Sequence, residues 1–325
     1  MRVLVTGGAG FIGRNIVDQL AGRGDEVFVV DNLSRHGLAS NPESRTHPNV
    51  TLVELDLTDQ YALESLPSPV DRVYHLAGIV GVGPVSSRPA HVLRINTLVT
   101  MNVCDWFVSH CPPGARLLFA STSEVYGGAL LAGFGLPVPT PEGVPFVIAD
   151  SGLPRASYAM SKMWGEMYCR FIGEANGRAA RSVRYHNVYG PGMGYEHVIP
   201  QVIRRIVSRA EPFRIHGENE TRAFCWIGDA VEATIRVMEA ADPSASSVVH
   251  IGGLEEVTVG EVYEKLFRLC AWRPRHLVRG DSAPGSVPRR CPDVTRLRQL
   301  TGYTPSTPLD EGLVPTTRWY LEHPE

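Results

Sequence analysis

Tyr158 and Lys162 are the residues of this sequence whose spacing best suits proton transfer. They are four positions apart in a stretch with helical periodicity, so both side chains project from one face of a helix. A phenol with an ordinary pKa of about 10 is a poor base at neutral pH, and a nearby ammonium lowers that pKa. The spacing is common by chance, so its meaning depends on what the neighbouring elements bind.

A second polar segment contains Thr122, Ser123 and Glu124, and it follows a strand predicted at 116–120. Doubly wound sheets bind ligands at the carboxyl ends of their strands. There the Thr122 hydroxyl could hydrogen-bond the same substrate oxygen that Tyr158 deprotonates. An ordinary polar junction between strand and loop explains the segment equally well when it is considered alone.

A glycine-rich segment at 6–13 lies between a strand predicted at 2–6 and a helix predicted at 11–21. Gly7, Gly10 and Gly13 permit a tight turn and let backbone N–H groups approach a pyrophosphate. Asp31 ends the next predicted strand, where a carboxylate accepts hydrogen bonds from a ribose and repels a 2′-phosphate. The pattern predicts a dinucleotide site that prefers NAD to NADP.

Other residues at the same ends of helix and strands are expected to line this cofactor site. They are Phe11, Ile12, Asn32, Asp56, Leu57, Leu76 and Ala77. Asp56 considered alone is an ordinary helix N-cap. Arg35 lies near Asp31 and could hold a 2′-phosphate, so the preference for NAD is strong but not absolute. Beside a nicotinamide, Lys162 would also hold the ribose.

The apolar pattern predicts an α/β fold with a doubly wound parallel sheet, a Rossmann fold. Further strands are predicted at 27–30, 51–55, 72–76, 180–185 and 248–251, and further helices at 89–109, 158–174 and 227–240. Strands that alternate with helices form parallel sheets covered on both faces.

Two regions interrupt this alternation. The 127–154 segment is rich in Gly and Pro, and it is either a functional flap or an insertion without consequence. Past Asn187 the chain becomes rich in loops. We therefore expect an NAD-binding Rossmann domain at 1–187 plus 223–253, and a smaller, discontinuous substrate-binding domain at 188–222 plus 254–325.

Composition and residue spacing argue against a nucleic-acid-binding protein, a membrane-spanning protein and a metal-binding protein. The chain of 325 residues has 31 basic and 34 acidic residues, which gives a net charge of −3 and no basic stripe for nucleic acid. No apolar run approaches the roughly 20 residues that span a bilayer. The cysteines and histidines lack the spacing of a metal site. The first strand begins at Arg2 and leaves no room for a signal peptide, so a cytoplasmic protein without metal is expected.

Several motifs occur together in one order. They are TGGAGFIG at 6–13, Asp31, HLA at 75–77, STSEVYG at 121–127, YAMSK at 158–162, NVYGP at 187–191, TRAF at 221–224 and RCPD at 290–293. With these motifs the chain resembles the extended short-chain dehydrogenases/reductases that modify nucleotide sugars. The resemblance covers essentially the whole chain.

This resemblance implies a shared opening step. Tyr158, helped by Thr122, takes a proton from a sugar hydroxyl, usually at C4, while NAD⁺ accepts the hydride. The product is a bound 4-keto sugar.

The same resemblance implies a nucleotide diphosphate sugar as substrate. Asn187, the backbone near Val198, Arg222 and Arg290 would hold its pyrophosphate, because guanidinium groups match phosphate oxygens in a fork. Each arginine considered alone could instead form a surface ion pair. His197, Tyr195 and the 127–154 segment are expected to shape the sugar pocket, and Ser123 is expected to bind the substrate.

The fate of the ketone separates the branches of this family. Epimerisation is ranked first, because inversion at C4 needs only Thr122, Tyr158 and Lys162. Glu124 could serve as a base for inversion at C5 or C3, or it could merely fix the end of the strand. Decarboxylation is ranked second: UDP-glucuronate decarboxylases resemble the chain in having Thr-Ser-Glu, although they tend to carry Arg where Gly192 stands.

Dehydration is ranked third, because 4,6-dehydratases carry an acidic Asp where this chain has Ser123. Release of an oxidised sugar is a smaller alternative. A protein that only senses NAD(H) also stays open, although it would need the glycines and Asp31 but not the proton-transfer residues.

The predicted helix at 158–174 carries more large apolar side chains than one buried stripe requires. They are Met160, Met163, Trp164, Met167, Tyr168 and Phe171. Resemblance to the family suggests a homodimer formed through a helix bundle, and an ordinary core helix is the alternative.

Overall fold

A seven-stranded parallel sheet forms the centre of the protein. The structure is a computed structural model that describes residues 1–34, 47–241, 248–282 and 287–324. Its strands are β1 (Arg2–Thr6), β2 (Glu26–Asp31), β3 (Val50–Glu54), β4 (Arg72–His75), β5 (Arg116–Thr122), β6 (Ala179–Tyr185) and β11 (Val248–Ile251). Across the sheet they stand in the order β11-β6-β5-β4-β1-β2-β3. The strand order reverses at β1: β2 and β3 lie on one side of it, and β4, β5, β6 and β11 lie on the other. This switch point between β1 and β4 opens a crevice at their carboxyl ends.

Ten α-helices occur in the described ranges. They are α1 (Phe11–Gly22), α2 (Val82–Ser87), α3 (Pro89–His110), α4 (Gly127–Leu131), α5 (Pro154–Ala175), α6 (Val198–Val207), α7 (Ile227–Glu239), α8 (Val259–Leu269), α9 (Thr295–Thr301) and α10 (Leu309–Glu322). No helix in these ranges is long and apolar enough to cross a membrane.

Alternating side chains of the strands bury both faces of the sheet. Val3 and Val5 of β1 lie in one core cluster together with Ile16 of α1 and Val231 of α7. Leu4, between them, lies in a second cluster with Phe107 of α3. The Rossmann fold predicted from the apolar pattern is therefore confirmed.

Three small sheets lie outside the central one. β7 (Val188–Tyr189) pairs with β10 (Cys225–Trp226), and β8 (Phe213–His216) pairs with β13 (Leu277–Gly280). β9 (Thr221–Ala223) lies between β12 (Glu256–Thr258) and β14 (Arg289–Arg290). A third core cluster surrounds Ile199, Phe213 and Leu266 in this part of the chain.

The two-domain division stays a prediction. β11 and α7 join the central sheet and its core, as expected for 223–253. Val294 and Leu297, which the prediction assigns to the smaller domain, also pack into that core.

The 127–154 segment is attached to the rest of the protein through Thr140 and Glu142. Thr140 and Glu142 are buried, and the Thr140 backbone pairs with residues 291 and 293. At the start of the segment, a Cβ added to Gly128 would lie 1.8 Å from the carbonyl oxygen of Val147, so only glycine allows this approach. The segment is thus an integral part of the structure.

Candidate active site

Helix α5 carries Tyr158 and Lys162, and it packs across β5. Lys162 is buried, and its Nζ donates a hydrogen bond to the carbonyl oxygen of Ala120 at 2.8 Å. The same Nζ lies 5.9 Å from the centre of the Tyr158 ring. Burial lowers the pKa of Lys162 to about 8. The structure therefore places a cation beside the tyrosine, as the spacing predicted.

Thr122 is the last residue of β5, and its hydroxyl faces the start of the next turn. Its Oγ1 accepts a hydrogen bond from the backbone N–H of Glu124 at 3.2 Å and caps a short 3₁₀ helix at Ser123–Tyr126. This cap holds the side chain at the carboxyl end of the sheet, the edge where Lys162 reaches Ala120.

Glu124 lies between two arginines. Its Oε1 accepts a hydrogen bond from Arg290 Nη1 at 2.7 Å, and its Oε2 accepts one from Arg155 Nη2 at 2.6 Å. Burial disfavours the charged carboxylate, but the two guanidinium groups outweigh burial and lower the pKa of Glu124 to about 2. The side chain is therefore ionised at neutral pH. Arg290 Nη1 also lies 3.3 Å from Ser123 Oγ.

Arg222 and Arg290 stand opposite each other on the parallel strands β9 and β14. Arg222 donates to Glu220 at 2.7 Å, and burial and the charge of Arg290 lower the pKa of Arg222. Two like charges in register repel each other, so the arrangement is better suited to a bound anion than to an empty surface.

The glycine-rich turn between β1 and α1 leaves no room for side chains. A Cβ on Gly7 would lie 2.7 Å from the backbone nitrogen of Ala77, and one on Gly13 would lie 2.3 Å from the Gly7 carbonyl oxygen. Only glycine therefore permits this turn between β1 and α1. Asp31 accepts hydrogen bonds from the N–H groups of Ala9 at 3.1 Å and Leu33 at 3.0 Å, so its carboxylate lies beside the turn.

The other expected cofactor residues lie around this turn with different exposures. Phe11, Ile12, Leu76 and Ala77 are half-buried at the carboxyl edge of β1 and β4, and Asn32 follows Asp31. Asp56 is exposed and accepts a hydrogen bond from Thr58 N–H at 2.9 Å, whereas the Leu57 side chain is buried in the core. Contact between Leu57 and a cofactor would have to use its backbone. Arg35 lies outside the described residues.

The remaining predicted substrate residues lie farther along the chain. Asn187 follows β6 with φ +42°, and its Nδ2 donates to the carbonyl oxygen of Ala223 at 2.9 Å, next to Arg222. Val198 begins α6, and His197 is its exposed N-cap residue. The structure thus brings Ser123, Glu124 and Arg290 into contact and puts Asn187 near Arg222.

Sequence reasoning missed Arg155, which contacts Glu124 from the first turn of α5. A cation three residues before Tyr158 lies close to the same helix face, and this spacing was the available signal. Within the described ranges, no group of three or more His, Cys, Asp or Glu side chains could hold a metal ion.

Comparison with protein families gives a match along most of the chain. The family described as "NAD dependent epimerase/dehydratase family" matches residues 3–252. A UDP-N-acetyl-alpha-D-glucosaminuronate decarboxylase of Bacillus cytotoxicus is 31% identical over 99% of this chain and 98% of its own. UDP-glucuronic acid decarboxylase 1 of Danio rerio is 32% identical over 99% of this chain and 74% of its own.

Among solved structures, the UDP-glucose 4-epimerase of Thermotoga maritima with UDP-glucose is similar over 100% of both chains. Its sequence is 29% identical and the TM-score is 0.84. The relatives by sequence and the neighbour by structure therefore differ in the reaction that their names give.

Proposed function

The chain belongs to the NAD-dependent epimerase/dehydratase family, and from that premise we propose that it decarboxylates a nucleotide-linked uronic acid through a 4-keto sugar. One observation carries this proposal. Glu124, two residues beyond Thr122, is paired with both Arg155 and Arg290 at 2.6 and 2.7 Å. Arg155 therefore adds a guanidinium group at the sugar end of the site, besides Arg290, which would bind the pyrophosphate.

The opening step uses Tyr158, Thr122 and Lys162. Tyr158 takes the proton of the C4 hydroxyl, and the Thr122 hydroxyl orients that oxygen. The charge of Lys162, 5.9 Å from the Tyr158 ring, favours the phenolate that this step needs. Bound NAD supplies the acceptor for the C4 hydride. The glycine turn and Asp31 would hold that cofactor, because the turn has no room for side chains.

Decarboxylation follows because a carboxylate at C6 is β to the C4 ketone. The bond between C5 and C6 breaks, carbon dioxide leaves, and the electron pair moves onto the C4 oxygen. C5 then takes up a proton from solvent, C4 regains its hydride, and Tyr158 returns its proton to the C4 oxygen. No base has to remove a proton from C5 in this sequence.

The charge state of Glu124 supports this route over inversion at C5. A carboxylate whose pKa is about 2 is a poor base for a C–H bond. Arg155, which is paired with Glu124, provides a counter-ion for the uronate carboxylate close to Thr122. The two arginines in register, Arg222 and Arg290, would bind the pyrophosphate of the nucleotide.

This proposal reverses the order expected from the sequence, in which epimerisation came first. The sequence alone does not reveal the contact between Arg155 and Glu124, and the relatives reported above are named as uronate decarboxylases. Inversion at C4 is the second candidate. It is favoured by the likeness to a UDP-glucose 4-epimerase over the whole chain at a TM-score of 0.84.

We also propose that the enzyme is a homodimer formed through α3 and α5. These helices pack together, yet α5 leaves Met160, Met167 and Phe171 exposed by 38, 42 and 61%. Leu93 of α3 is exposed by 37%. A second copy would bury these apolar side chains. The cytoplasmic location stays a prediction.

A substrate panel tests the proposed reaction. The enzyme and NAD are incubated with UDP-glucuronate, UDP-N-acetylglucosaminuronate or UDP-glucose, and the products are analysed by mass spectrometry and NMR. Loss of carbon dioxide from a uronate is expected. An unchanged mass with inverted C4 would establish epimerisation instead, and loss of water would establish dehydration.

A further inference from the structure

The segment that follows Arg290 is attached to the 127–154 segment. Thr140 N–H donates to the carbonyl oxygen of Cys291 at 2.9 Å, and Asp293 N–H donates to the carbonyl oxygen of Thr140 at 2.9 Å. β14 itself is only two residues long, Arg289–Arg290. The attachment of residues 291–293 therefore contributes to the position of Arg290.

His250 of β11 adds a buried side-chain bond to the same segment. It is fully buried, and its Nδ1 lies 3.0 Å from the carbonyl oxygen of Asp293. A carbonyl oxygen only accepts, so Nδ1 carries the proton, and Nε2 accepts from the hydroxyl of Tyr126, which it contacts. Burial lowers the pKa of His250 to about 3, so the ring is neutral at pH 7.

Glu142 connects this histidine to the 127–154 segment and to the sheet. Its Oε1 accepts a hydrogen bond from His250 N–H at 3.0 Å, and its carbonyl oxygen accepts one from Arg184 Nη1 at 2.9 Å. Arg184 also donates to Glu166 of α5 at 2.8 and 2.7 Å and contacts the Tyr126 hydroxyl. Each residue of this chain donates a hydrogen bond to the next: Arg184 donates to the Tyr126 hydroxyl, and that hydroxyl donates to His250 Nε2. His250 Nδ1 then donates to the carbonyl oxygen of Asp293.

We propose that His250 and Glu142 are positioning residues for Arg290, which they hold opposite Glu124 through the segment at 291–293. The need for such fastening follows from charge: Arg222 stands in register with Arg290 and repels it. Without the bonds to Asp293 and Thr140, only the two-residue strand and the ion pair with Glu124 would resist that repulsion. The inference rests on the proposed role of Arg290 in substrate binding, and not on the fate of the keto sugar.

Substitutions of His250 separate its hydrogen bond from its volume. The amide of Asn can reach the place of Nδ1 and donate to Asp293, so His250→Asn keeps the bond, whereas His250→Leu removes it. Titration calorimetry with UDP-glucuronate on the NAD-loaded enzyme measures the result, and every variant is made in the Tyr158→Phe background so that turnover does not contribute heat. We expect His250→Leu to weaken binding about tenfold, as the loss of a buried hydrogen bond implies, and His250→Asn to stay within about threefold of wild type.

His186 provides a matched control. The His186 ring packs against that of His250 at 4.6 Å between centroids, and it is 1% exposed. Neither of its ring nitrogens has a hydrogen-bond partner among the described residues. His186→Leu should leave the affinity for UDP-glucuronate unchanged. Glu142→Gln, which keeps an acceptor for His250 N–H, should bind better than Glu142→Ala. Equal weakening by His186→Leu and His250→Leu would show a general packing effect and overturn the proposal.

A double-mutant cycle distinguishes positioning from a merely structural role. If His250 acts through Arg290, His250→Leu will weaken binding no further in an Arg290→Ala background. Additive losses would contradict the inference. Unchanged affinity of His250→Leu beside a weakened Arg290→Ala would also contradict it while leaving the proposed function intact. Failure of the wild type to bind either uronate of the substrate panel would overturn both proposals.

Discussion

Arg222 and Arg290 are paired in register on the neighbouring parallel strands β9 and β14. Each has a carboxylate partner, Glu220 for Arg222 and Glu124 for Arg290, at 2.7 Å in both cases. The two guanidinium groups nevertheless remain adjacent, and the charge of Arg290 contributes to the lowered pKa of Arg222. A diphosphate between them would relieve this repulsion.

Arg222→Lys should therefore weaken binding of the nucleotide. The charge stays, but the fork that matches two phosphate oxygens is lost. We expect a decrease in affinity for UDP of about tenfold, measured by titration calorimetry. Arg289→Lys is the control, because Arg289 is exposed and paired with Glu256 at 2.7 Å. Equal affinities of both variants would contradict the role of Arg222.

Tyr158→Phe should abolish turnover and leave NAD binding intact. The phenol oxygen is the proposed base, and loss of a general base costs on the order of 10²–10⁴ in rate. The rate is measured with the substrate that the panel identifies, and NAD binding by calorimetry. Tyr168→Phe on the same helix, whose hydroxyl donates to Asp105 at 2.8 Å, should keep its activity. An active Tyr158→Phe enzyme would rule out the assigned base.

Lys162→Met should stabilise the protein at neutral pH. In the unfolded chain this lysine keeps its proton up to about pH 10.5, and in the folded protein only up to about pH 8. Between these values the folded state binds fewer protons, so the free energy of unfolding of the wild type rises with pH. Below pH 8 the cost of the buried ammonium is present in full, about 3 kcal/mol.

The difference between Lys162→Met and wild type should thus be largest near pH 7 and shrink from pH 8 to 10.5. Urea denaturation of both proteins without added cofactor measures it. A difference that does not change with pH would contradict the lowered pKa of Lys162. The variant should also lose activity, since the phenolate of Tyr158 loses its cation.

Arg155→Met should impair uronate substrates more than neutral ones. The variant removes the proposed counter-ion of the sugar carboxylate, and we expect kcat/KM for UDP-glucuronate to fall about 100-fold, as loss of a charge-assisted hydrogen bond of about 3 kcal/mol implies. Any C4 oxidation of UDP-glucose should fall less. Arg170→Met on the same helix, paired with exposed Glu174 at 2.8 Å, serves as the control. Equal losses for both substrates would refute the assignment.

Phe171→Glu should convert a dimer into monomers. The side chain is 61% exposed in the isolated chain and lies on the apolar face of α5. A buried, unpaired carboxylate in the interface would cost several kcal/mol. Phe134→Glu is the control, because Phe134 is 53% exposed on the 127–154 segment. Light scattering at micromolar concentration gives the mass, and a monomeric wild type would overturn the dimer proposal.

Local sequence was sufficient for the sheet and its helices. The apolar run at 248–251 and the pattern at 89–109 predict elements that the structure shows as Val248–Ile251 and Pro89–His110. Each element is specified by its own period of apolar residues and by the residues that end it. The Tyr158 and Lys162 pair was equally legible, because a spacing of four fixes a shared helix face.

The charge relationships at the sugar end depended on tertiary structure. Arg155 and Glu124 are 31 residues apart, and Glu124 and Arg290 are 166 apart. No local sequence pattern indicates that these three side chains are in contact. The pKa of Glu124 is lowered because the fold brings both arginines within hydrogen-bonding distance of its carboxylate.

The sequence by itself thus determined the family, the glycine-rich turn and the shared helix face of Tyr158 and Lys162, because these lie within short segments whose geometry neighbouring residues fix. Only the tertiary structure decided the partners of Glu124 and the fastening of Arg290 by Thr140 and His250. The physical reason is that a charge or a hydrogen bond acts through distance in space, and folding alone brings residues of distant segments within reach.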